Sequence, residues 1–196
     1  MNLHKLIGSG LPNVYLHGGV ATEGCADDLT VTYADLDGLY VAITRALALC
    51  SGPMESFELR FLRKRLGMSQ SQVAALGDKT EQAVAKWEKG TSHVPKAEAS
   101  LLRLKAASKF GTRQDVVLAM ARLENDAPQV DCALMVFTFD GSKWTHSDAM
   151  ALEFARERYE PVAISAIATA ITSATTAEKS AVVHVVATVM SYEAGK

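Results

Sequence analysis

The sequence predicts an α+β chain, predominantly α. A five-helix domain at 53–126 lies between a small N-terminal β/α region at 1–52 and a C-terminal α/β region at 127–196. Three observations carry this. Apolar residues recur at helical spacing through the middle third, punctuated by start and stop signals. Short β-rich runs bounded by turn residues lie on either side of it. Charge divides at nearly the same places: residues 1–55 hold 2 basic and 6 acidic side chains, 56–113 hold 12 and 5, and 114–196 hold 6 and 11. The whole chain is at net −2, so its positive charge sits on the helical middle.

In chain order, Val14-Tyr15-Leu16 and Leu29 to Tyr33 are expected as short strands, linked through Gly18-Gly19 and the polar loop Glu23 to Asp28. Asp35 to Cys50 is expected as a helix with Leu36, Leu39, Tyr40, Ile43 and Leu47 on one face, and Ser51-Gly52-Pro53 breaks it. The first helix of the middle domain starts at a Ser56 N-cap with Glu58 in its first turn, carries Phe57, Phe61, Leu62 and Leu66, and stops at Gly67. Ser69 and Gln72 form a capping box for the second, which carries Val73 and Ala74. Gly77-Asp78 marks a turn. Thr80 caps the third helix, Val84 and Trp87 face the core, and Gly90 ends it. Val94-Pro95 opens a fourth helix, with Pro95 at its first position and Leu101, Leu102 and Leu104 as its apolar face. Thr112 and Asp115 box the start of a fifth, with Val116, Val117, Met120 and Leu123.

After a boundary at Ala127-Pro128, Cys132 to Phe139 is expected as a strand that turns at Asp140-Gly141 into a return strand from Lys143. Helices are expected at 147–159 and 161–174. The run 181–190 fits a strand or a helix.

Residues 56–104 thus have the pattern of a helix-turn-helix: one helix crosses the DNA backbone and the next enters the major groove. The segment resembles the Xre (lambda-repressor-like) helix-turn-helix domain. With Gly10-Leu11-Pro12-Asn13-Val14-Tyr15-Leu16, Asp37-Gly38-Leu39-Tyr40, Phe57 to Lys64 and Lys86-Trp87-Glu88-Lys89-Gly90, the resemblance extends over residues 8–106 to MqsA-like and HigA-like antitoxin regulators. The chain lacks the paired CxxC zinc motifs often found in that family. It also has Gly77-Asp78-Lys79 where Leu-Gly-Val is usual at the turn.

The third helix supplies the base-reading candidates. Gln82 and Lys86, four apart, share a face, and their chemistry suits adenine N6/N7 and guanine O6/N7. Glu81 is the candidate for cytosine N4 or for a cap. The candidate phosphate contacts are Ser69, Gln70, Lys79, Thr80, Lys89, Arg63 and Arg103; for Gln70 the resemblance implies it. Trp87 is expected in the core.

Other chemistry finds little footing. His4, His17, Cys25, Cys50 and His93 lack the clustered spacing of a zinc site, so no metal and no cofactor is expected. There is no GxGxxG, P-loop, nucleophile elbow or HExxH, and no enzyme is expected. No apolar run is long enough to span a membrane. Three widely spaced cysteines and the lack of a signal-type N-terminus point to free thiols in the cytoplasm. The function expected is a homodimeric, autoregulatory repressor that binds a palindromic double-stranded DNA operator. The alternatives are a type II antitoxin that also neutralises a toxin protein, and an effector-responsive regulator with a sensing domain at 127–196.

Overall fold

The structure is a computed structural model. It describes residues 3–24, 29–123, 132, 134–147 and 150. Most of the expected helix at 147–159, the helix at 161–174, the run 181–190, the boundary at Ala127-Pro128 and most of the Glu23 to Asp28 loop lie outside the described residues.

The chain divides into two compact units. Among the described residues, one holds those within 1–6, 12–42 and 134–150, and the other those within 7–11 and 43–132. The sequence predicts three segments in series. Instead, strands from the first and the last of them share one sheet.

That sheet contains β1 (His4–Lys5), β2 (Val14–His17), β5 (Met135–Phe139) and β6 (Trp144–His146), in the order β1-β2-β5-β6. β1 and β2 are antiparallel, as are β5 and β6, while β2 and β5 run parallel with Val14 opposite Met135. Because the β2–β5 pair is internal, both strands are apolar on their covered positions. Val14, Leu16, Met135, Val136 and Phe137 are all buried. The Asp140-Gly141 turn forms as expected: Asp140 Oδ1 accepts from the backbone N–H of Ser142 and of Lys143, each at 2.9 Å.

A second, two-stranded sheet pairs β3 (Val20–Glu23) with β4 (Thr30–Tyr33). The sequence reading has no counterpart for β3, because Ala21-Thr22-Glu23 is too polar to signal a strand. Gly19, with φ +64°, turns the chain into β3. A Cβ there would lie 2.7 Å from the Trp144 ring, so the indole needs glycine beneath it. Trp144 Nε1 donates to the Ala34 carbonyl at 2.8 Å.

α1 (Leu36–Ala48) runs from the sheet unit into the helical one. Asp35 Oδ1 accepts from Gly38 N–H at its start. Leu39, Ile43 and Leu47 are buried, whereas Leu36, expected on the same face, is exposed.

The helical unit continues with α2 (Ser56–Leu66), α3 (Gln70–Ala74), α4 (Glu81–Glu88), α5 (Lys96–Phe110) and α6 (Arg113–Leu123). Its core is built from Leu59, Leu62, Val73, Val84, Trp87, Leu102, Ala106 and Ala107. Two starts lie one residue from expectation. Glu55, not Ser56, precedes α2, and its N–H is held by Glu58 Oε2 at 3.0 Å. Pro95 is the N-cap of α5 rather than its first residue. Gly67 adopts φ 72°, and the following Met68 N–H reaches back to Arg63 O, closing α2 with a Schellman-type turn.

Three expected apolar positions face solvent: Leu101, Val117 and Met120. On α5, small residues Ala99, Ala106 and Ala107 take the core side, and Arg103 is buried with them. Cys50 and Cys132 are joined as a disulfide, their Cα atoms 5.9 Å apart, which corrects the expectation of free thiols for these two.

Candidate nucleic-acid interface

The helix-turn-helix geometry is built from three local devices. At the start of α3, Ser69 Oγ accepts from Gln72 N–H at 3.1 Å and Gln72 Oε1 accepts from Ser69 N–H at 2.8 Å, the expected capping box. Between α3 and α4, Asp78 takes a left-handed φ of 53°, a conformation that Asp tolerates better than most residues, and Lys79 N–H returns to Ala74 O. Thr80 Oγ1 then caps α4 by accepting from Ala83 N–H at 3.2 Å. The unusual Gly77-Asp78-Lys79 is therefore a working turn, and α4 begins at Glu81.

Val84 and Trp87 bury one face of α4, which leaves Glu81, Gln82 and Lys86 exposed on it. Gln82 and Lys86 stand one turn apart on that open surface. Thr80 and Lys89 are exposed at its two ends, and Ser69 is exposed ahead of α3. Lys79 is exposed while its Nζ lies 3.5 Å from Glu98 Oε1.

Three candidate phosphate contacts are committed elsewhere. Arg63 donates Nε to Glu88 Oε1 at 2.5 Å, Nη2 to Glu88 Oε2 at 3.1 Å and Nη1 to Met68 O at 3.0 Å. Gln70 donates its amide to the same Glu88 carboxylate at 2.8 Å. Arg103 is 7% exposed and donates to Gly52 O at 2.8 Å. Both guanidiniums are turned to partners inside the domain, which takes them away from a phosphate on an outside surface. Arg63 and Arg103 hold the domain together instead, and Gln70 does so through its side chain.

Glu88 is the residue that sequence reasoning passed over. It is buried and ties α2, α3 and α4 together, with Arg60 also donating to its backbone carbonyl. Burial works against its charge. The hydrogen bonds from Arg63 and Gln70, with the charges of Arg63 and Arg60, outweigh that and hold its pKa below the ordinary carboxylate value. A signal was present: an acid in the last turn of a helix opposes the helix dipole, so it needs a cation nearby.

Among the described residues, no group of His, Cys, Asp and Glu is placed to hold a metal ion, and no helix is long and apolar enough to cross a membrane. Residues 59–109 match the model of a family described as Helix-turn-helix. No characterised protein and no solved structure matches the chain. The matched stretch opens within α2 and closes within α5, so it contains the Glu88 cluster and all of α4. The match thus covers these helices as a helix-turn-helix segment of the chain.

Proposed function

We propose that the protein is a sequence-specific transcriptional repressor that binds a palindromic operator as a homodimer in the cytoplasm, and that it acts on its own promoter. The observation that carries this reading is the exposed pair Gln82 and Lys86 on α4, set on a helix-turn-helix that matches a DNA-binding family. Gln82, Lys86 and Glu81 read base edges in the major groove. Ser69, Lys79, Thr80 and Lys89 lie on phosphates and set the register. The excess of basic residues in 56–113 favours the approach to DNA. One helix contacts only a few base pairs, so selectivity calls for two half-sites about one helical turn apart, read by two copies. Nothing in this reading requires a cofactor or catalysis.

The test is a titration of the chain against its own upstream DNA and against shuffled DNA of equal length. Selective binding to the upstream fragment, two chains per site, supports the reading. Equal affinity for both fragments overturns it. The antitoxin alternative draws only on the resemblance across residues 8–106. Co-purification of a stoichiometric toxin protein encoded beside it would favour that alternative.

A further inference from the structure

A cavity of about 400 Å³ lies within the helical unit, between the segment that follows α1 and helices α5 and α6. Its walls are unequal in character. Ala48, Met54, Val94, Ala99 and Ala119 make an apolar lining, while Arg103 from α5, Arg122 from α6 and the exposed Lys96 supply its cations. None of the lining residues belongs to α3 or α4.

The two guanidiniums are poorly provided for. Arg103 is nine-tenths buried. Its Nη1 bonds Gly52 O and its Nη2 stands 3.9 Å from Glu58 Oε2, yet its Nε is buried with no hydrogen-bond partner. Arg122 has both Nε and Nη1 buried without a partner. A donor left unsatisfied keeps the full cost of its desolvation, and more when it carries charge. Burial pushes the pKa of both arginines down. For Arg103, the Glu58 carboxylate opposes this and the neighbouring Arg122 charge adds to it. The guanidiniums of Arg103 and Arg122 therefore share one wall, and a carboxylate lies 3.9 Å from the first of them.

The guanidiniums in the lining define the ligand. Guanidinium offers N–H groups and no acceptor, in a planar fork that matches carboxylate and phosphate oxygens. A metal ion or a cationic ligand is excluded by charge, and a neutral ligand leaves the charge unbalanced. The apolar lining calls for more than a bare inorganic anion.

We propose that this cavity is a binding site for a small organic anion, a carboxylate or phosphate monoester, whose acid group sits between Arg103 and Arg122 and whose apolar body lies against Met54, Val94 and Ala99. The site goes beyond the DNA-binding reading, and its test uses no DNA, so either can fail without the other.

The experiment is calorimetric titration and thermal melting of the full chain with hexanoate and with phenyl phosphate. Hexanol serves as the uncharged counterpart, and chloride keeps ionic strength constant. The expected result is saturable one-to-one binding of at least one acid, a melting temperature that rises with its concentration, and no binding of hexanol. Hexanoate alone identifies a carboxylate ligand, and phenyl phosphate alone a phosphate monoester. Arg122→Met should weaken binding by at least about tenfold. Should that variant lose the helical circular dichroism of the wild type, Arg122→Lys replaces it, keeping the charge and losing the fork, and weaker binding is again expected. The proposal is overturned if neither acid binds at millimolar concentration, if hexanol binds as well as hexanoate, or if the variant that folds binds with wild-type affinity.

Discussion

Arg63 and Glu88 meet in a two-pronged ion pair, Nε to Oε1 at 2.5 Å and Nη2 to Oε2 at 3.1 Å, which ties α2 to the last turn of α4. Both side chains are largely out of solvent, at 16% and 5% exposure. Removing one partner strands the other charge. Glu88→Ala should therefore destabilise the helical unit by about 3–5 kcal/mol, the range for breaking a buried pair. Denaturant unfolding of the variant against wild type checks this. A change within experimental error would mean the pair is dispensable.

The same carboxylate sets an acid limit. Glu88 and Asp115 both have pKa values below their ordinary 4.5 and 3.8. For Asp115, hydrogen bonds from Thr112 and Arg45 outweigh the burial that acts the other way. Folded values lowered in this way stabilise the native state fully above the ordinary pKa. The contribution is lost as pH falls through the lowered folded values. Stability should hold from neutral pH down to the ordinary carboxylate range and then decline. The decline should be shallower in Glu88→Gln. Unfolding midpoints across an acid series provide the comparison, and parallel curves for variant and wild type would count against it.

On α4, Gln82→Ala with Lys86→Ala should abolish operator preference and leave the fold intact, since both side chains are exposed. Each base contact is worth on the order of 1–3 kcal/mol, so the double variant should bind operator and shuffled DNA alike. Anisotropy titration reads the difference. Wild-type selectivity in the double variant would displace the reading site from this face.

Operator affinity should also fall steeply with salt, because the basic stretch displaces counterions from phosphates. The plot of log K against log salt should have a clearly negative slope. Lys89→Ala should make it shallower by about one unit, as expected for one lost phosphate contact. A flat plot would remove phosphate contact as a main source of affinity.

The Cys50–Cys132 bridge closes a separation of 82 residues. Cross-linking a loop of that length has an entropic ceiling of about 4–5 kcal/mol. Wild-type protein should lose part of that on reduction, while Cys132→Ser should melt at the reduced temperature with or without reductant. Identical melting of oxidised and reduced wild type would argue that the bridge contributes nothing to stability.

Most of the helical unit was legible because its signals are local. The Ser69–Gln72 box, the Thr80 cap, Gly67 and Gly90 act within a few residues of themselves, and each appears in the structure where the sequence places it. The α4 face was legible for the same reason: Val84 and Trp87 inward leave Gln82 and Lys86 outward. What escaped was set by distant partners. Nothing near Val14 announces a parallel partner at Met135, and nothing near Cys50 announces Cys132. Arg63 and Arg103 carry the charge of phosphate contacts, and only the fold reveals that Glu88 and Gly52 claim them. On α5 the alanines allow close approach, so Ala99, Ala106 and Ala107 join Leu102 on the core side while Leu101 faces out.

The parallel pairing of β2 with β5 gives the chain an order of assembly. β2 leaves the ribosome early, but its inner neighbour β5 follows only after the whole helix-turn-helix has been made. The helical unit, rich in local contacts, can condense during synthesis. Until β5 is made, β2 lacks that neighbour, and an unpaired strand edge is a template for self-association. A chain stopped at Asp126 would never leave that state. It should keep its helices and precipitate through its first twenty residues, a fate set by topology rather than by any contact with DNA.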